Sequence, residues 1–273
     1  MLDGLAWEIV FGVLVTLVLL LLVYFIPKWR AGSMRNQPRV SPTHEDLVAA
    51  EAAPPSPLPP LPKDMETRML VARAKHDDLM AESVSLYRRS RGHHSDSVAL
   101  LEEAIAKAGE AREVRGDSFE AVKMMGDAHL ALAAERTDQE ALADLAAAAD
   151  AYETALSYRK GVIDIYVGLG WSLLETGYRT SGATSARVFG AATSTFAAGH
   201  EVSPPNLFVL RGWGSAVDGM ARSQAPEAEA RESTFLSTIA NHPVAADDLR
   251  EWYQRIRTAD EMQRVPVPPL RDT

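Results

Sequence analysis

Histidine and carboxylate side chains cluster at three places in the sequence, and such clusters can bind metal ions. They are His44-Glu45-Asp46, His76-Asp77-Asp78, and His93-His94 followed by Asp96. None matches the H-E-x-x-H pattern, which places two zinc ligands on one helix face. The chain has no cysteine, which excludes disulfides, thiolate metal sites and a cysteine nucleophile. We therefore expect no metal site and interpret His93-His94 as part of a solvated turn.

Other patterns that resemble catalytic or cofactor-binding motifs are incomplete. Gly168-Leu-Gly170 lies within a predicted helix and follows no strand, unlike a dinucleotide-binding turn. Ser157-Tyr-Arg-Lys160 fits S-x-x-K but lacks the companion K-T-G motif. Adjacent carboxylates such as Glu102-Glu103 diverge on a helix and indicate a solvated face. We expect no catalytic residues and no cofactor; an enzyme with an unrecognised site on a helical scaffold is the alternative.

The charge balance argues against nucleic acid as the ligand. The 273 residues include 28 basic and 37 acidic side chains, a formal net charge of −9. Binding to phosphate backbones requires a basic surface. The length allows one or two domains with a sizeable core.

Residues 5–26 are almost entirely apolar and predict a transmembrane helix, preceded by a short tail at residues 1–4. Glu8 is the only charged residue in this segment. As a helix it would be roughly 33 Å long, enough to cross a hydrocarbon core of about 30 Å. Trp7 and Trp29 lie at its ends, where aromatic rings prefer the headgroup region. A cleaved signal peptide is the alternative, but the basic start and small-residue cleavage site that it needs are not found.

Basic residues follow this segment and predict its orientation. Lys28, Arg30, Arg35 and Arg39 come after it, whereas the preceding flank has acidic charges only. The positive-inside rule then places the N-terminus outside and the bulk of the chain in the cytoplasm, as in a bacterial inner membrane. The residues expected at the membrane surface are Trp7, Lys28, Trp29, Arg30, Arg35 and Arg39.

Residues 27–62 form a predicted linker that is first basic and then proline-rich. Six prolines lie between Pro54 and Pro62. Such a run favours polyproline II and acts as a semi-rigid spacer. Its PxxP spacings could instead bind an aromatic groove of another protein, or the run could lie along a neighbouring protein.

From residue 63 to residue 260 the pattern is helical, so we predict an all-α domain of about nine helices in antiparallel pairs. Apolar residues recur at three- and four-residue intervals, with almost no strand-like alternation. The predicted helix boundaries are Ser95 or Asp96, Gly116-Asp117-Ser118, Thr137-Asp138, Gly161, and Gly177 with Gly182, and then Pro204-Pro205, Pro226 and Pro243 at later helix starts. Residues 261–273 are expected to be an extended tail.

Glycines spaced by 44 residues indicate an internal repeat. They are Gly126, Gly170 and Gly214, and the same shift relates Tyr152 to Phe196. A period of this size is typical of stacked helix pairs that bury their apolar faces against their neighbours. We interpret the glycines as sites of close helix approach and the aromatic residues as filling the space between pairs.

At these positions the chain resembles the tetratricopeptide repeat (TPR) family. The first-helix pattern is found as Tyr166, Leu169-Gly170 and Leu173, and again as Leu210, Trp213-Gly214 and Val217. The second-helix pattern is found as Ala148, Tyr152 and Ala155, and again as Ala192, Phe196 and Gly199, followed by Pro204. The resemblance covers residues 118–222, with about ten residues more per unit than the usual 34. It implies an α-solenoid with degenerate caps at 64–113 and 226–258.

The resemblance also implies a concave protein-binding face. Its expected residues are Glu120, Lys123, Asp127, Asp164, Val167, Trp171, Phe208, Arg211 and Ser215. Trp171 and Phe208 are aromatic anchors of the kind that dominate interfaces, although both could equally serve packing between repeats. The set lacks the Lys/Asn/Arg arrangement by which some family members hold a C-terminal peptide.

Together these features predict a single-pass membrane protein that works through protein contacts. We expect an accessory or scaffold subunit whose partners are other subunits of a membrane complex and, through residues 5–26, the lipid bilayer. Anchoring would raise its local concentration near the target. The alternative is a signal-anchored adaptor or chaperone of the TPR type on the periplasmic or extracytoplasmic side.

Overall fold

The computed structural model describes residues 63–92, 95–243 and 245–259, which contain nine α-helices and no β-strand. The helices are α1 (Lys63–Ser90), α2 (Ser97–Val114), α3 (Phe119–Glu135), α4 (Asp138–Tyr158), α5 (Ile163–Arg179), α6 (Gly182–Val202), α7 (Leu207–Arg222), α8 (Ala228–Ala240) and α9 (Ala246–Thr258). The all-α prediction is confirmed for this part of the chain.

None of α1–α9 is both long and apolar enough to cross a membrane. The predicted transmembrane helix at residues 5–26 lies outside the described residues, as do the tail at 1–4, the linker at 27–62 and the tail at 261–273. These assignments stay predictions.

Polar caps set the start of two helices. At α3, Ser118 Oγ accepts a hydrogen bond from Ala121 N at 3.1 Å. At α7, Asn206 Oδ1 accepts hydrogen bonds from the backbone N–H groups of Phe208 and Val209, at 3.0 and 3.2 Å. Such caps satisfy N–H groups that the first turn of a helix leaves unpaired. The turn at Ser118 was predicted from the sequence, whereas the Asn206 cap was not.

The prolines that the sequence placed at later helix starts lie in the preceding turns instead. Helix α7 begins at Leu207 after Pro204-Pro205, α8 begins two residues after Pro226, and α9 begins three residues after Pro243. Proline restricts the residue before it to extended conformations, so it separates helices without having to occupy the first helical position.

The helices stack as a repeat-like array. Each helix packs against the next one along the chain, and the odd-numbered helices α1, α3, α5, α7 and α9 also contact their odd-numbered neighbours. This pattern is consistent with a helical solenoid, in which helix pairs stack side by side.

Aromatic rings wedged between glycines hold neighbouring pairs together. The ring of Tyr152 on α4 lies against Gly126 on α3 and Gly168 on α5, and a Cβ atom added at Gly126 would lie 2.9 Å from that ring. One period later, Phe196 on α6 lies between Gly170 on α5 and Gly212 on α7. The interpretation of these residues as sites of close approach and filling is thereby confirmed.

Helix α6 carries a second ring of this kind. Phe189, two turns before Phe196, lies against Gly177 on α5 and Gly219 on α7. Both glycines are shifted by seven residues from those around Phe196, which is the register expected where α6 runs antiparallel to α5 and α7. Each ring of α6 therefore touches the first helix of its own repeat, α5, and the first helix of the next repeat, α7.

A cluster of charged residues joins α7, α8 and α9. Arg222 donates to Asp218 Oδ2 at 2.7 Å and to the carbonyl oxygen of Ala259 at 3.0 Å, beyond the end of α9. Arg257 on α9 contacts Asp218 at 3.4 Å and Glu232 on α8 at 3.1 Å. Asp218 is buried, so its charge is satisfied by two arginines rather than by water.

Candidate functional site

An open groove of about 410 Å³ lies between α1 and α3. It has charged residues of both signs around an apolar floor. The lining residues are Arg73, His76, Asp77, Met80 and Val84 from α1, Arg115 from the α2–α3 turn, and Phe119, Glu120, Lys123 and Met124 from α3. Within each helix these residues recur at intervals of three and four, which places them on one face. The groove therefore combines charged and apolar side chains on one surface.

His76 ties α1 to the start of α3. Its Nε2 lies 2.7 Å from Ser118 Oγ, and its Nδ1 lies 3.1 Å from Asp77 Oδ1. With the hydrogen on Nδ1, His76 would donate a hydrogen bond to Asp77 and accept one from the Ser118 hydroxyl at Nε2, which leaves a lone pair of the serine oxygen to cap α3. Both His76 and Ser118 are buried.

This order of Asp77, His76 and Ser118 resembles the relay that activates a nucleophilic serine. The serine in such a relay must reach a substrate carbonyl, whereas Ser118 has no exposed surface. Its oxygen already accepts the hydrogen bond from Ala121 N. In this arrangement the contact fixes the position of α1 on α3.

Lys123, Asp127 and Tyr152 form a buried network below the groove. Lys123 Nζ donates to Asp127 Oδ2 at 2.8 Å, and Tyr152 Oη donates to Asp127 Oδ1 at 2.7 Å. Burial raises the pKa of Asp127, although Lys123 and Tyr152 favour its charged form. Burial and the neighbouring Asp127 carboxylate raise the pKa of Tyr152 well above its usual value. The network holds the Lys123 ammonium at the groove wall.

The equivalent positions of the next repeat are apolar. A shift of 44 residues replaces Lys123 with Val167 and Asp127 with Trp171. Packing in this layer of the stack therefore does not require an ion pair. The ion pair of Lys123 and Asp127 lies in the repeat that borders the groove.

The residues predicted on a concave face differ widely in exposure. Lys123, Asp127, Val167, Trp171 and Ser215 are buried, Asp164 is partly buried, and Glu120, Phe208 and Arg211 are exposed. The groove brings together Glu120 and Lys123 from this set and none of the others. That this set binds a partner stays a prediction.

Trp171 and Phe208, the two proposed aromatic anchors, have opposite surroundings. Trp171 is 1% exposed and packs edge-on against Phe196, with ring centroids 6.0 Å apart, so its position is that of a residue between repeats. Phe208 is 43% exposed. A partner could therefore reach Phe208 without any rearrangement, whereas Trp171 offers almost no surface.

Sequence reasoning missed the α1 side of the groove. Arg73, His76 and Met80 recur at helical spacing, which was a usable signal. However, α1 was assigned to a degenerate cap, and the search for a binding face covered only the three helices that carry the repeated glycines.

Several predicted residues lie outside the described part of the chain. They are the membrane-surface set Trp7, Lys28, Trp29, Arg30, Arg35 and Arg39, together with His44-Glu45-Asp46 and His93-His94. Among residues 63–92, 95–243 and 245–259, no group of three or more histidine or carboxylate side chains is arranged to hold a metal ion.

A second groove, of about 490 Å³, lies beside the end of α7. Its wall includes Gln224, which has a left-handed φ of 54°. The adjacent Ala225 N donates to the carbonyl oxygen of Met220 at 2.9 Å, as in a Schellman motif, in which a residue in the left-handed conformation ends an α-helix. The end of α7 therefore accounts for this unusual backbone conformation.

Comparisons of the chain with protein-family models, with curated proteins and with solved structures found no match.

Proposed function

We propose that this protein is a membrane-anchored TPR-type repeat protein that binds another protein in the groove between α1 and α3. It acts as an accessory or scaffold subunit that stabilises a membrane complex, held at the membrane by residues 5–26. The groove is the observation that carries the proposal.

The lining of the groove supports a protein ligand. Met80, Val84 and Phe119 offer apolar contact, while Arg115 and Glu120 supply charges of both signs. Interfaces combine an apolar centre with a polar rim in this way. Because two parallel-facing helix surfaces form the walls, an extended or helical segment of a partner fits better than a compact small molecule.

The TPR-type assignment rests on the aromatic wedges and their 44-residue period. Tyr152 and Phe196 occupy the second-helix aromatic position, and each contacts the glycine of its own first helix. An experimental structure tests the assignment. Residues 119–158 should superpose on residues 163–202, and failure to superpose would remove it.

The anchor rests on the length and apolarity of residues 5–26 and on the basic residues that follow. A reporter active only in the cytoplasm, fused after Thr273, should be active. Activity of a reporter that works only outside the cytoplasm would instead support the extracytoplasmic adaptor or chaperone. Recovery of the full, uncleaved chain in the soluble fraction would contradict the predicted membrane anchor.

Purification in mild detergent with identification of the co-purifying chains tests the binding function. The variant Arg115→Glu/Glu120→Arg reverses two charges of the groove and keeps the net charge. We expect it to reduce the recovered partner roughly tenfold, since charges at the rim select partners. The control Arg112→Glu/Glu153→Arg makes the same exchange on exposed residues of α2 and α4 outside the groove, and it should retain the partner.

Two results would contradict the proposal. Elution of the wild-type protein alone as a single species would argue against an accessory subunit. Equal recovery of the partner by the groove and control variants would place the contact surface elsewhere.

A further inference from the structure

The first two turns of α1 expose a cluster of large apolar side chains. Met65, Met69, Leu70 and Val71 are 46%, 58%, 61% and 63% exposed. Helix α1 has 28 residues and its neighbour α2 has 18, so α1 is longer by about 15 Å at 1.5 Å per residue. We call residues 63–75, which are these ten residues and the three that follow them, the α1 overhang. A cluster of this size on a helix end indicates a contact surface.

The α1 overhang continues a face that is buried farther along the helix. Met65, Met69 and Ala72 follow the same three- and four-residue spacing as His76 and Leu79, and these last two are buried. A groove of about 750 Å³ runs beside the overhang, where Met69 and Leu70 face Val114 and Arg115 at the end of α2. The overhang thus has the shape and polarity of a helix face that packs against another helix.

Charges on the two flanks of this face are arranged in a self-complementary order. On one flank Glu66 precedes Arg73 by seven residues, and on the other Asp64 precedes Lys75 by eleven. If a second copy of the helix lies antiparallel, Glu66 meets Arg73 and Asp64 meets Lys75 in one register, because both pairs are centred between residues 69 and 70. In the same register Arg68 lies opposite Val71, and its two copies are offset by about 4.5 Å along the helix axis.

From this geometry we propose that the α1 overhang is a dimer contact, in which it packs antiparallel against the overhang of a second copy of this chain. A twofold axis passes near Met69, so the contact is the same surface on both copies. Two different charge pairs, each formed twice, set the register, while the methionines and Leu70 supply apolar contact. Within the described part of the chain, the ion pair of Arg73 is an exposed contact with Asp77 at 3.9 Å on its own helix.

The contact covers about three helical turns and is small for an interface. Exposed charge pairs add little to the stability of a contact and mainly set the orientation of the two helices. The dimer therefore depends on the local concentration of the chain, which a membrane tether would raise. The inference does not require the tether or the groove.

Single-cysteine variants test this register, because the chain has no cysteine of its own. Across an antiparallel pair centred at 69.5, the two copies of residue 69 are offset by about 1.5 Å along the helix axis, and the two copies of residue 65 by about 14 Å. A disulfide needs Cα atoms within about 7 Å. The full-length Met69→Cys variant should therefore form a disulfide-linked dimer under mild oxidation, and Met65→Cys should form roughly tenfold less.

The two cysteine variants are matched controls, since both methionines are exposed on the same face of one helix. Equal maleimide labelling of the two would show equal reactivity. Equal cross-linking of both would indicate a parallel pair and overturn the proposed contact. No disulfide-linked dimer of Met69→Cys, or an adduct with another protein in its place, would also overturn it.

A charge exchange provides the second measurement, in the Met69→Cys background. Glu66→Arg places two arginines opposite each other at both ends of the contact and should reduce cross-linking roughly tenfold. Adding Arg73→Glu restores opposite charges and should restore cross-linking. Failure of this rescue would contradict the register. The cross-linking result is independent of the cell fraction that contains the protein, so loss of the membrane anchor and loss of the dimer are distinguishable.

Discussion

Gly168 leaves no room for a β-carbon, because the ring of Tyr152 lies against its Cα. We predict that Gly168→Ala forces the ring or α5 to shift and lowers the free energy of unfolding by about 2 kcal/mol, as is usual for overpacked cores. Urea unfolding of the full chain measures this change.

Gly109 offers the matched control. It also lies within a helix, α2, but an added Cβ there would meet no atom within 4 Å. Gly109→Ala should raise the free energy of unfolding by about 0.5–1 kcal/mol, because alanine restricts the unfolded chain and favours helix. Equal effects of the two substitutions would show that the ring does not set the distance between α3 and α5.

Lys123 compensates the buried charge of Asp127, so its removal should be costly. We predict that Lys123→Met lowers the free energy of unfolding by about 3–5 kcal/mol at pH 8, the usual cost of an unpaired buried charge. The loss should be smaller at pH 5. Urea unfolding at both pH values measures it.

The sign follows from the raised pKa of Asp127. Between the unfolded pKa near 4 and the raised folded pKa, the folded state binds more protons than the unfolded state, so stability falls as pH rises. Without Lys123 the folded pKa rises further and this window widens. The control Lys123→Met/Asp127→Asn has no charge to bury. It should recover most of the stability and lose the pH dependence.

At the scale of helices, Ser118 has two roles, whereas an ordinary N-cap residue has one. It caps α3 and also contacts His76 on α1. We predict that Ser118→Ala lowers the free energy of unfolding by about 2–3 kcal/mol, since it removes a cap and leaves the buried His76 without its partner.

Asn206→Ala is the comparison, because Asn206 caps α7 with hydrogen bonds to the two N–H groups of its own first turn. This substitution should lower the free energy of unfolding by about 1 kcal/mol. Equal losses, measured by urea unfolding, would mean that the contact between Ser118 and His76 adds no stability.

Elements that depend on local pattern were predictable, whereas contacts between distant segments were not. Helical spacing and turn residues predicted the all-α class, and the 44-residue period predicted that Tyr152 and Phe196 fill the space between pairs. Gly168 and Gly212, the second glycine of each wedge, depend on how the next pair approaches. The contact of His76 with Ser118 joins residues 42 apart, for which no local pattern exists.

The candidate site was half predictable for the same reason. Glu120 and Lys123 follow from the repeat, since their position counts from a glycine of the pattern. Trp171 was expected on an open face with packing as the alternative, and its edge-on contact with Phe196 depends on how α6 packs against α5. The α1 wall of the groove has no repeated glycine and was therefore missed.

At the scale of the whole molecule, each helix pair packs mainly against the neighbouring pairs, so a substitution should destabilise only the helices near it. Gly212→Ala would push against Phe196 and should weaken the packing of α6 on α7. In hydrogen exchange by mass spectrometry, we predict lower protection of α6 and α7 by about 2 kcal/mol and little change in α1 and α2. A uniform loss across all helices would indicate that the stack unfolds as one unit.

The sharing of each ring by two pairs limits how such a protein can change in length during evolution. Phe196 packs between a glycine of its own unit and a glycine of the next unit. A deletion that starts or ends inside a unit would therefore leave a ring without one of its glycines, or a glycine without its ring. Gains and losses in this array should come in steps of 44 residues, with breakpoints that fall at equivalent places.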